Sequence, residues 1–111
     1  MRPPIVVLSP GLRVYTSSAA AERALLPGSV GSLDAFDAAA RPLRIAERRG
    51  LLGLLGRRGP CLVAGSTSAA ARRALRDRLA EELVRSGAPG PWAEGAPLGA
   101  LLAEAARRWP A

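Results

Sequence analysis

The chain contains no histidine, lysine, asparagine or glutamine, and its only cysteine is Cys61. Without histidine and with a single cysteine, zinc clusters and histidine-based catalytic triads are excluded. One cysteine also excludes a disulfide within the chain, which is typical of a reduced, intracellular setting. No apolar run approaches the roughly 18–20 residues of a membrane span. We therefore expect a cytoplasmic protein that binds no metal or other cofactor and has no membrane span.

Aromatic residues are scarce, with one Phe, one Tyr and two Trp in 111 residues. Nucleic-acid-binding surfaces that stack bases need several aromatic side chains close together, so that kind of surface is not expected. Trp92 follows a Pro/Gly-rich stretch, and Trp109 ends a C-terminal amphipathic pattern. We expect both indole rings to pack the C-terminal segment against the body of the protein.

Positive charge is abundant and is concentrated in the middle of the chain. The net charge is +7, and residues 41–78 hold ten Arg against Glu47 and Asp77, a net charge of +8. The segments on either side are close to neutral. Such a distribution favours an anionic partner, which could be a nucleic acid, an acidic protein surface or a phosphate.

The segment from Cys61 to Ser86 predicts a strand followed by a long helix. Cys61–Ala64 is apolar at every position, which is typical of a central strand buried on both faces. Gly65 then interrupts the pattern, three candidate N-cap residues follow, and Gly87 ends the helix. The helix carries an apolar stripe at every fourth position, formed by Ala71, Leu75, Leu79 and Leu83.

The remaining patterns complete an α+β fold. Short strands are predicted at residues 5–8, 12–16, 29–36 and 42–48, with short and C-terminal helices at residues 19–26 and after Pro97. We expect a small antiparallel sheet of four to five short strands with two helices packed on one face. A C-terminal helix would follow a Pro/Gly linker. This divides the chain into a core domain, residues 1–88, and a linker with an amphipathic helix, residues 89–111.

The stretch Arg48–Gly59 allows two interpretations. It reads RRGLLGLLGRRG, and its glycines oppose a stable helix. In one interpretation it extends the sheet irregularly and buries its leucines. In the other it is a mobile loop with an apolar tip and arginine pairs at its base, suited to a partner or a membrane surface.

Two groups of residues are candidate binding sites. The first is an anion or partner site at the predicted start of the long helix, where free N–H groups favour anions. Two arginines there have no acidic residue one turn away along the helix. The site comprises Ser66, Thr67, Ser68, Arg72 and Arg76. The second is a surface for a protein partner or a nucleic acid, comprising Arg44, Arg48, Arg49, Leu52, Leu54, Arg57 and Arg58.

An acidic pair, Asp34 and Asp37, is the candidate for general acid–base chemistry. No second type of catalytic residue accompanies the pair, and the pattern favours solvated carboxylates near a turn. The sequence therefore predicts no enzyme.

These features favour a small, non-catalytic binding module that docks on a protein partner or forms a homodimer. The alternative is a binder of RNA or another nucleic acid that uses the basic residues 41–78. After the first predicted hairpin, the order of elements is helix, strand, strand, strand, helix. This order resembles that of double-stranded-RNA-binding domains and, with a leading strand, that of ribosome-hibernation factors, a resemblance that implies RNA binding. The basic cluster that those RNA-binding domains carry at the start of the final helix is Ser68-Ala69-Ala70-Ala71 in this chain, so their contacts are not carried over.

Overall fold

The computed structural model describes residues 1–9, 11–28, 31–48 and 59–111, with Arg48 described by its backbone alone. In these residues the chain forms five strands, three α-helices and a short 3-10 helix at Trp92–Glu94. The strands are β1 (Ile5–Val7), β2 (Arg13–Tyr15), β3 (Gly31–Phe36), β4 (Pro42–Arg48) and β5 (Gly59–Ala64), and the α-helices are α1 (Ser18–Leu25), α2 (Ala69–Arg85) and α3 (Leu98–Arg108).

The strands form one antiparallel sheet in the order β2-β1-β3-β4-β5. Strands β2 and β3 both pair with β1, so they run parallel to each other, and α1 carries the chain from one to the other across β1. The predicted α+β class, with its antiparallel sheet and C-terminal helix, is confirmed.

Strand β1 is covered on both faces of the sheet, because Ile5, Val6 and Val7 are all buried. Alternate residues of a strand point to opposite faces, so two apolar clusters form. The α2 cluster comprises Val6, Leu8, Val14, Ala40, Leu75, Leu79, Leu83, Ala88, Leu101, Leu102 and Ala105. The α1 cluster comprises Ile5, Val7, Ala21, Ala35, Leu43, Ile45 and Leu62.

The two clusters place α1 and α2 on opposite faces of the sheet. The helix α1 begins at the N-cap Ser17, whose side chain accepts a hydrogen bond from the Ala20 N–H at 3.1 Å, and it buries Ala21 in the α1 cluster. The helices α2 and α3 cover the other face. The prediction that α1 and α2 share a face was wrong, because β1 is apolar on both faces and each face therefore needs its own cover.

The segment predicted as the central strand lies at an edge of the sheet instead. In β5, Leu62 is buried in the α1 cluster, whereas Cys61 and Val63 are only half-buried. Strand β5 pairs with β4, and the chain then leaves directly into α2, so no described strand adds to its outer side. The burial of Leu62 agrees with the prediction, but the central position does not.

The long helix forms as its sequence predicts. Ser68 is the N-cap, and its side chain accepts a hydrogen bond from the Ala71 N–H at 3.0 Å. Gly87 follows the helix with a φ of 77°, a left-handed conformation that glycine adopts without strain. The predicted stripe is buried at its three leucines, Leu75, Leu79 and Leu83.

Residues 89–111 pack on the same face of the sheet as α2. In α3, Leu101, Leu102 and Ala105 are buried in the α2 cluster. Trp92 and Trp109 pack against that cluster from its margin, as the sequence predicts. At the end of α3, the Arg108 guanidinium donates a hydrogen bond to the Ser86 carbonyl oxygen at 3.1 Å.

Candidate functional site

The two edges of the sheet differ in what covers them. At the β2 edge, the Val14 N–H donates to the Trp109 carbonyl oxygen at 2.9 Å, and the Ala111 N–H donates to the Val14 carbonyl oxygen at 3.1 Å. At the opposite edge, β5 pairs with β4 on its inner side, and no residue of the described ranges pairs with its outer side. The outer side of β5 is therefore the candidate docking edge.

The register of β4 and β5 determines which backbone groups point outward. The Gly65 N–H donates to the Pro42 carbonyl oxygen at 2.8 Å, and Arg44 lies opposite Val63 in the same register. Hydrogen-bonded pairs alternate along an antiparallel ladder, so Gly65, Val63 and Cys61 direct their N–H and C=O groups toward β4. Leu62 and Ala64 direct theirs away from it.

Pro60 marks β5 as an edge strand. It lies opposite Glu47 in the β4 register and shares the outward backbone orientation of Leu62 and Ala64. Proline has no N–H, so within sheets it is confined to edge strands with that side open, to strand ends and to bulges. This residue is the sequence signal that could have placed β5 at the edge, and the apolar pattern of residues 61–64 obscured it.

The side chains of the docking edge are apolar or small, and they carry no charge. No charged residue occurs from Gly59 through Ala71. Leu62 is buried, while Cys61, Val63 and Ala64 are half-buried. Natural proteins commonly protect an edge strand with charged side chains, because an open edge is a template for pairing with another chain. In β5 only Pro60 provides such protection, and it lies near the start of the strand.

The predicted anion site at the start of α2 is exposed. Ser66, Ser68, Arg72 and Arg76 all lie on the surface, and the exposed Thr67 donates its hydroxyl to the Ala40 carbonyl oxygen at 3.3 Å. The Ser68 side chain serves as the N-cap of α2. Within the described part of the chain, no ion pair involves Arg72 or Arg76. Anion binding at this helix start stays a prediction.

The predicted arginine surface is only partly described. Arg44 is exposed on β4, and the backbone of Arg48 ends that strand. The other members of the second candidate group lie outside the described residues, as do both interpretations of the leucine-rich stretch; these members are Arg49, Leu52, Leu54, Arg57 and Arg58.

Arg76 and Arg78 lie on opposite flanks of the buried stripe of α2. At 100° per residue, Arg76 falls on one side of the line through Leu75 and Leu79, and Arg78 falls on the other. Arg78 faces β3, where its guanidinium pairs with the Asp34 carboxylate at 2.5 Å. Glu82, one turn along the helix from Arg78, pairs instead with Arg85 at 2.7 Å.

Asp37 is not the solvated carboxylate that the sequence suggested. It is fully buried and accepts backbone hydrogen bonds from Ala39 at 3.0 Å, Arg41 at 2.9 Å and Arg2 at 3.1 Å. A carboxylate that accepts three N–H bonds can be buried because its desolvation is compensated. Asp37 therefore organises the β3–β4 turn and anchors the segment before β1.

No protein-family model, curated protein or solved structure matches this chain. The similarity in element order to double-stranded-RNA-binding domains thus has no support from a wider comparison. In the described ranges, no helix is long and apolar enough to cross a membrane. The same residues contain no group of three or more Cys, Asp or Glu side chains that could hold a metal ion.

Proposed function

We propose that this protein is a non-catalytic binding module that docks an extended protein segment on the outer edge of β5. The observation that supports the proposal is the contrast between the two edges. The C-terminal residues pair with β2, whereas β5 has no such cover among the described residues. Addition of a strand to an open sheet edge is a common mode of protein recognition.

The backbone of β5 supplies the attraction, and its side chains supply the selectivity. Leu62 and Ala64 each offer an outward N–H and C=O, and each hydrogen bond contributes about 0.5–1.5 kcal/mol net. A docked strand would also cover the exposed parts of Val63 and Cys61. A partner segment with apolar residues at alternate positions fits this edge.

Substitution Ala64→Pro is expected to abolish docking while leaving the fold intact. The Ala64 N–H points away from β4, so a proline there removes an outward donor without breaking the β4–β5 ladder. We expect capture of the partner in a nuclease-treated pull-down to fall about tenfold or more, the equivalent of 1.4 kcal/mol. Circular dichroism would verify that the fold is retained.

The matched control is Ala69→Pro. Ala69 is the first residue of α2, where proline is well tolerated, and the preceding Ser68 has the extended backbone that proline requires. This control should capture the partner like the wild type. If Ala64→Pro folds and captures the same proteins as Ala69→Pro, the edge of β5 is not the docking surface.

The alternative function is nucleic-acid binding by the basic surface, and the exposure of Arg44, Arg72 and Arg76 favours it. In that case affinity for an RNA duplex should fall steeply with salt, since each phosphate contact releases a counterion. Arg76→Glu should weaken binding much more than Arg23→Glu, a matched change on α1. Arg107 is a poorer control because it already pairs with Glu104 at 3.1 Å. Equal effects at Arg76 and Arg23, or no salt dependence, would argue against this alternative.

A further inference from the structure

We propose that the strand that docks on β5 is β5 of a second copy of this chain, in an antiparallel pair with a two-fold axis through Val63. This inference rests on the proposed function and names the occupant of the docking edge. The inference that the occupant is a second copy depends on the self-complementarity of β5 in its backbone, its side chains and its charge.

The outward backbone groups of β5 match themselves under this two-fold axis. Leu62 of one copy lies opposite Ala64 of the other, and both residues direct their N–H and C=O outward. The two equivalent pairs form four hydrogen bonds and leave no outward group of these residues without a partner. An axis through Leu62 would instead place Ala64 opposite Pro60, which lacks an N–H, and the Ala64 carbonyl would lose its donor. The backbone thus favours the register centred on Val63.

The side chains of β5 are compatible with the same register. Val63 of each copy would meet at a non-hydrogen-bonded pair, where the Cα atoms lie about 4.5 Å apart and apolar side chains touch. The half-buried Val63 would then be covered. On the other face, Leu62 and Ala64 of the two copies would adjoin and join the two α1 clusters. Isologous contacts of this kind close as a dimer and do not propagate.

Each chain carries a net charge of +7, so the interface of a dimer must keep like charges apart, and pairing through β5 does so. The uncharged stretch from Gly59 through Ala71 brings no like charges together in the paired strands. The nearest β4 cation, Arg44, lies opposite Val63 and therefore three strand spacings from its symmetry mate. That backbone separation is about 14 Å, beyond the Debye length of about 8 Å at physiological ionic strength.

The test uses the full chain and engineered cysteines. In the double variant Cys61→Ser/Val63→Cys, residue 63 faces its symmetry mate at a spacing that a disulfide can bridge. We expect mild oxidation to convert most of this variant to a covalent dimer. The wild-type chain should form at least tenfold less, because Cys61 would lie opposite Gly65. A faster cross-link through Cys61 than through residue 63 would overturn the proposed register.

Sedimentation equilibrium provides a second measurement that does not depend on the cysteine variant. The wild type and Ala69→Pro should sediment at twice the chain mass of 11.5 kDa, and Ala64→Pro should sediment as a monomer. If the wild type is a monomer but Ala64→Pro still abolishes capture of another protein, β5 is the docking edge, and the inference that a second copy occupies it is wrong. If all three chains are monomers that capture the same proteins, both the inference and the proposed function are wrong.

Discussion

Substitution Leu79→Ala is expected to lower the free energy of unfolding by about 2–5 kcal/mol. Leu79 lies at the middle of the buried stripe of α2, its side chain is 0% exposed, and it belongs to the α2 cluster with Val6 and Leu101. Truncation would remove three carbon atoms, the Cγ methine and both Cδ methyl groups, and leave a cavity between the helix and the sheet. Small domains are stable by only about 5–15 kcal/mol, so the loss would be a large share of the total. Urea denaturation followed by circular dichroism would measure it.

The control for this substitution is Val84→Ala on the same helix. Val84 is 53% exposed, so its truncation should change the free energy of unfolding by less than about 0.5 kcal/mol. Equal effects of the two substitutions would mean that α2 does not pack on the sheet through its leucine stripe.

Local patterns in the sequence were sufficient to identify the α-helices and strands of the described chain, but not the short 3-10 helix at Trp92–Glu94. The spacing of Leu75, Leu79 and Leu83 predicted the buried face of α2. The helix begins after the N-cap Ser68 and is followed by Gly87, as the capping preferences of serine and glycine predict. These signals are local because they depend on residues within one or two turns of each other. The same reasoning predicted that the two tryptophans pack residues 89–111 onto the body.

The arrangement of the elements in space depended on signals that local patterns do not contain. An apolar run such as Cys61–Ala64 indicates burial, but it does not specify how many neighbours the strand has. Only Pro60 pointed to the edge of the sheet. Likewise, the apolar residues of β1 required covers on both faces, but nothing local assigned α1 to one of them. The candidate docking edge was therefore missed, although the predicted function, docking on a protein or a second copy, needs such a surface.

Long-range contacts also determined the environments of the two acidic residues. Asp34 finds its partner, Arg78, 44 positions away along the chain, and the Asp37 carboxylate accepts a hydrogen bond from the Arg2 backbone 35 positions away. The bonds that Asp37 accepts from the Ala39 and Arg41 N–H groups are local, and an aspartate that opens a turn commonly accepts such bonds. That local signal was present in the sequence, whereas the complete burial of the side chain depends on the segment before β1.

Substitution Asp37→Ala is expected to lower the free energy of unfolding by about 3 kcal/mol or more, because hydrogen bonds to a charged acceptor contribute about 1.5–3 kcal/mol each. Three backbone N–H groups would lose their acceptor inside the protein. The β3–β4 turn would be destabilised most. It holds Ala40 at a φ of 59°, a left-handed conformation that costs free energy for a residue other than glycine. Urea denaturation would give the size of the loss, and hydrogen exchange would show whether the turn opens.

Two further variants separate the buried acceptor from simple loss of negative charge. Asp37→Asn keeps one carbonyl oxygen for the Ala39 and Arg41 N–H groups but presents an amide to the Arg2 N–H, so its effect should be intermediate. Asp34→Ala removes the same charge from a surface ion pair and should cost at most about 1 kcal/mol. If Asp37 anchors this turn, the loss in the free energy of unfolding must be largest for Asp37→Ala, smaller for Asp37→Asn and smallest for Asp34→Ala. An Asp37→Ala variant as stable as Asp34→Ala would contradict it.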